Sequence, residues 1–108
     1  MLPEIHHLFP SADTAQNAEQ INLLFQTPHL RLEQIISYGT SSAENFWYDQ
    51  DENEWVLLAK GEAVLEFEQD RKVLLKAGDY LLIPAHERHR VESCSKDAVW
   101  LALFFDEC

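Results

Sequence analysis

The chain is predicted to fold as an all-β barrel or sandwich preceded by one short helix. From residue 29 onward it breaks into short β-prone runs, at about 29–38, 46–49, 54–60, 62–68, 71–76, 79–83, 88–93 and 97–105. Turn-forming stretches separate the runs, notably Gly39 to Ala43 (GTSSA) and Gly78-Asp79. Residues 62–68 also alternate, setting Ala63, Leu65 and Phe67 against Glu62, Glu66 and Glu68, the pattern of a sheet wet on one side. Eight such strands suit a small closed barrel or two packed sheets.

Taken in order, Asp13 and Gln16 read as a variant capping box, with Ala18, Ile21 and Phe25 following at helical spacing. The expected helix spans about 13–26, and Thr27-Pro28 stops it. Residues 1–38 are then an N-terminal segment, with that helix and the first strand, and 39–105 are the barrel core of the same domain. Strand 54–60 carries Val56 and Leu58 on one face and Trp55 and Leu57 on the other, while 97–105 is apolar on both. A small barrel has only one interior, so the outer faces need a second sheet, the N-terminal segment or another subunit, and a homodimer is expected. Tyr80 to Ile83 is closed by Pro84. In 88–93, period two puts His89, Val91 and Ser93 on the apolar face and Arg88, Arg90 and Glu92 on the other, where the arginines should pair with surrounding acids.

A chain of 108 residues makes one domain, and 46% hydrophobic content is too high for a disordered acidic chain, so the net charge of −11 must decorate a packed body. Eight basic residues against nineteen acidic ones repel phosphate backbones, which argues against nucleic acid and anionic membranes as partners. The opening MLPEIHHLFP has neither the cationic start nor the apolar run of a signal peptide, so a cytoplasmic location is expected. Cys94 and Cys108 form no metal-type doublet and suit reduced thiols.

The stretch Gly78 to Ser93, GDYLLIPAHERHRVES, resembles the second motif of the cupin superfamily: Gly, five residues, Pro-x-Gly, two residues, a metal-binding His, three residues, Asn. Gly78, Pro84 and His89 fall at those spacings, while His86 replaces the second Gly and Ser93 the Asn. Glu54 and Gly61 match the back half of the first cupin motif, but Trp47, Tyr48, Asp49 and Gln50 stand where His-x-His is usual. The resemblance covers residues 39–105 and implies an antiparallel double-stranded β-helix, or jelly-roll, barrel.

That resemblance implies Glu54 and His89 as retained metal ligands at the barrel mouth. His86 and either Asp49 or Gln50 would complete a mixed nitrogen and oxygen set for a divalent ion such as Zn, Fe(II), Mn or Ni. The alternative is that Glu54 simply bonds His89 with no metal. Some partner is required, because Glu54 shares a face with Val56 and Leu58 and an unpaired buried carboxylate costs several kcal/mol. Trp47 and Tyr48 are candidate pocket residues, and Tyr48 is a candidate catalytic proton donor. His6, His7 and His29 lie outside any motif. Three readings stay open: a metal-dependent enzyme of oxygenase, isomerase or lyase type, a non-catalytic small-molecule binding or sensing barrel, and a structural dimer module with a vestigial pocket.

Overall fold

The computed structural model describes residues 1–10 and 18–106. Eight strands form two antiparallel sheets: β1 (Gln20–Thr27), β2 (Leu30–Ile36), β3 (Asn53–Lys60), β4 (Glu62–Phe67), β5 (Arg71–Lys76), β6 (Tyr80–Ile83), β7 (His89–Cys94) and β8 (Val99–Phe105). The larger sheet has the order β1-β2-β8-β3-β6 and the smaller β5-β4-β7. The two pack into a jelly-roll barrel, as the sequence predicted.

Two elements differ from expectation. No helix forms over 20–26; Gln20–Thr27 is a strand paired with β2, and Pro28-His29 turn the hairpin that joins them. The helical spacing of Ile21 and Phe25 is coincidental: Ile21 pairs with Ile35 and faces the interior, while a register shift at Leu24 turns Phe25 outward opposite Leu32. Sheet pairing overrides a weak local helical preference. The proposed cap residues Asp13 and Gln16 lie outside the described residues. The expected strand at 46–49 reduces to a single bridge between Tyr48 and His89, because the chain turns through positive φ at Asn45 just before it.

Inside the barrel, Val56 and Leu58 of β3, Ala63, Leu65 and Phe67 of β4, and Trp100, Ala102 and Phe104 of β8 are buried. These are the alternating positions that the strand pattern selects. The outer face of the smaller sheet is polar and carries the ion pairs Arg90–Glu66 (2.7 Å), Lys72–Glu92 (2.7 Å) and Arg88–Glu68 (3.0 Å). A register shift between Val64 and Leu65 inserts an extra residue in β7, so Ser93 opposes Val64 on the outside and Cys94 opposes Ala63 on the inside. The predicted facing of Ser93 with His89 is therefore corrected.

The outer face of the larger sheet is apolar. Phe25, Leu32, Leu103, Trp55 and Leu82 are successive cross-strand partners and make one row across all five strands. Part of this face is covered by the N-terminal segment, where the carbonyl of Leu8 accepts a hydrogen bond from the Gln34 amide and Phe9 lies 5.8 Å from Lys60 Nζ. No helix among the described residues is long and apolar enough to cross a membrane.

Candidate site in the barrel cavity

Between the sheets lies a cavity of about 370 Å³. Its walls are largely apolar, with Ile21, Ile35, Val56, Leu65, Ile83, Val91, Trp100 and Phe104, and its polar groups are few: Glu19, Arg31, Glu33, Tyr48, Gln50, Glu54 and His89. Few, convergent polar groups in an apolar hollow are the usual make-up of a small-molecule site.

Glu54 sits near the start of β3 and points inward because it is in phase with Val56 and Leu58. His89 opens β7, in the opposite sheet, and meets it across the cavity with Nε2 3.3 Å from Glu54 Oε1. Both are buried, at 7% and 5% exposure. The contact thus runs between the two sheets. The Gln50 side-chain amide donates a hydrogen bond to Glu54 Oε1 at 3.3 Å.

The proton count of this pair follows from its partners. His89 Nδ1 is 2.8 Å from the carbonyl oxygen of Glu87, which only accepts, so Nδ1 carries hydrogen. If Nε2 were bare, its lone pair would face a carboxylate, so one proton must lie between Nε2 and Glu54. Burial, the largest single influence, favours the neutral ring; the bond to Glu54, the Glu87 carbonyl and the charges of Glu54 and Glu87 together outweigh it, and His89 titrates above its ordinary value. The ring is held between Tyr48, stacked at 5.5 Å, and Phe67 at 6.2 Å, and the Tyr48 backbone bonds that of His89 in both directions. Burial, followed by the charges of Glu19 and Glu54, raises the Tyr48 pKa and keeps its hydroxyl protonated.

The structure splits the predicted metal set. Glu54, His89 and Gln50 line the cavity, but His86 and Asp49 do not. These two are exposed at the rim, where His86 Nδ1 bonds Asp49 at 2.8 Å and Nε2 lies 3.3 Å from Asp51. His86 is set there by a backbone bond to the Gln50 carbonyl and by a positive φ of 66°. The hydrogen bond to Asp49 is the main reason that the pKa of His86 is raised. Trp47 is likewise outside the cavity, with the Arg88 guanidinium 5.9 Å from its ring, whereas Tyr48 is at the mouth as expected.

Sequence reasoning missed Arg31, Glu33 and Ile35, which face inward opposite Phe104, Ala102 and Trp100. Their alternation along β2 was readable. Glu19 and Ile21 were hidden by the helical reading.

Residues 32–104 match the family described as "Cupin domain". The chain belongs to the cupin family. A protein from Ralstonia eutropha JMP134, provisionally named a mannose-6-phosphate isomerase, is 36% identical over 97% of this chain and 100% of its own, with a TM-score of 0.89. KdgF from Halomonas sp. has a TM-score of 0.72 at 18% identity, covering 94% and 90%. A cupin superfamily protein from Desulfitobacterium hafniense DCB-2 has a TM-score of 0.72 at 20% identity, covering 94% and 97%. No curated protein matches the chain.

Divalent metals are common among cupins. The fit to one is poor in this cupin: among the described residues no three His, Cys, Asp or Glu side chains are grouped to hold an ion. Glu54 and His89 supply two such donors and Gln50 only a neutral amide oxygen, whereas structural and catalytic sites usually have three or more protein ligands. An ion at Nε2 would also have to displace the proton shared with Glu54.

Proposed function

We propose that this cupin binds a small molecule in its cavity and catalyses a proton shift upon it, as an isomerase-type enzyme, with Glu54 and His89 as the acid–base pair. The observation that carries the reading is the buried 3.3 Å contact between His89 Nε2 and Glu54, which holds one exchangeable proton at the wall of the cavity. A histidine bound through Nδ1 to a carbonyl has Nε2 as its working nitrogen, and an adjacent carboxylate raises its basicity. As acid, Nε2–H gives its proton to a ligand atom; as base, it takes one back from the neighbouring atom, with no net change. Tyr48 supplies a protonated hydroxyl at the mouth. The Ralstonia relative bears an isomerase's name, which supports this reaction class.

Ligands found by thermal-shift screening should exchange a carbon-bound hydrogen for deuterium in D₂O with wild-type protein, and at least a hundredfold more slowly with Glu54→Gln. If turnover instead required added metal and vanished with a chelator, the metal-free pair would be the wrong reading.

A further inference from the structure

We infer that the cavity selects molecules without negative charge, neutral polyols or amines rich in hydrogen-bond donors, and rejects phosphorylated or carboxylated ones. This deepens the reading of the cavity as a small-molecule site and rests on it. A phosphate or carboxylate ligand needs positive charge that is not already offset, and among the described residues the cavity lining offers none. Among the described residues that line it, Arg31 is the single guanidinium, with Nε on Glu33 at 2.9 Å, Nη1 on Glu52, and its face 4.1 Å from the centre of the Phe104 ring. Glu33 is two residues away on the same strand, and Glu52 reaches Arg31 from the loop before β3. Any positive charge on the His89 imidazole is likewise offset by the Glu54 carboxylate at 3.3 Å, while Nδ1 stays on the Glu87 carbonyl.

What remains facing the space is acceptor-rich. Glu19, Glu33 and Glu54 place three carboxylates on the wall against one guanidinium and one imidazole, and Glu52 adds a fourth beside Arg31. At an effective dielectric of about 20, a like charge at about 6 Å weakens binding about a hundredfold. The chain's net charge of −11 adds a field of the same sign. Hydroxyl and ammonium groups, by contrast, meet carboxylate oxygens that have lone pairs to spare, while Tyr48 and Trp100 offer aromatic surface to the ligand's apolar or cationic side.

The test is a panel of matched triplets in which a five- to seven-carbon skeleton carries a hydroxyl, an amine or a phosphate, including mannose, an amino sugar and mannose 6-phosphate, read by ligand-observed NMR on the wild-type protein. The hydroxyl and amine members should bind at least tenfold more tightly than their phosphates. Glu33→Gln with Glu52→Gln, which frees the guanidinium of Arg31, should narrow that gap at least tenfold. Phosphates binding as well as or better than their partners, with binding lost in a cavity-filling Val91→Trp variant, would overturn the inference and leave the small-molecule site standing. No binding by any triplet would overturn the site itself, and the inference with it.

Discussion

His89 and Glu54 meet at 3.3 Å from opposite sheets, and the histidine's other nitrogen is fixed on the Glu87 carbonyl. Because burial works against the charged ring yet is outweighed by these partners, the folded-state pKa lies above the ordinary histidine value of 6.5. A raised pKa means that the pair's stabilisation is complete below 6.5 and is lost as pH rises through the folded value. Urea denaturation across that range should therefore show wild type losing stability relative to Glu54→Gln on the alkaline side. Parallel curves would count against the shared proton.

Removing one partner of the pair should cost more than any exposed ion pair. His89→Ala leaves a buried carboxylate facing a void between Tyr48 and Phe67, and about 3 kcal/mol of stability should be lost. Arg88→Ala, at an exposed pair, should cost less than about 1 kcal/mol. Equal losses in chemical denaturation would show that the buried pair has no special role.

Two glycines of the motifs separate backbone strain from steric conflict. Both Gly61 and Gly78 have positive φ, 89° and 98°. A Cβ at Gly61 would stand 2.4 Å from Ser95 Oγ and 2.9 Å from Ala98 Cα, whereas one at Gly78 meets nothing within 4 Å. Gly78→Ala should lose only the left-handed backbone cost of about 1–2 kcal/mol. Gly61→Ala adds overpacking on top of it, about 3 kcal/mol in all or more. A melting comparison that found the two equal would refute the steric part.

The legible portion of this fold is that in which alternation and turns agree. Strands β3 to β8 lie within a residue or two of where the sequence puts them, and Glu54 and His89 face the interior as their phase requires. What was not legible depends on distant partners. The β1 strand is fixed by pairing with β2, not by its own propensity, and the extra residue in β7 that turns Ser93 outward is invisible to a period-two count. The rim pairing of His86 with Asp49 likewise depends on a positive φ that a histidine rarely adopts.

That φ makes His86→Gly informative. Glycine relieves a left-handed cost of about 1 kcal/mol, and the exposed pairs to Asp49 and Asp51 return at most a similar amount. Stability should stay within about 1 kcal/mol of wild type, and ligand binding in the cavity should persist. A loss of binding as large as that of His89→Ala would bring His86 back into the site.

The outer face of the larger sheet leads to the final prediction, a homodimer. Phe25, Leu32, Leu103, Trp55 and Leu82 form a row of direct cross-strand partners, with Phe25 and Leu82 at its ends 55% and 57% exposed. Leu8 and Phe9 of the N-terminal segment meet this face at Gln34 and Lys60, neither of which is in the row. The opposite outer face, on the smaller sheet, has its charges paired side by side and needs no cover. A continuous apolar row beside an edge strand is the kind of surface that a two-fold contact buries against its own copy. Light scattering at micromolar concentration should give twice the chain mass of 12.5 kDa. Leu103→Lys places a charge at the centre of the row without touching the cavity, since Leu103 points away from Ala102 and Phe104, so it should yield a folded monomer with an unchanged cavity site. A wild-type mass of a single chain would refute the dimer.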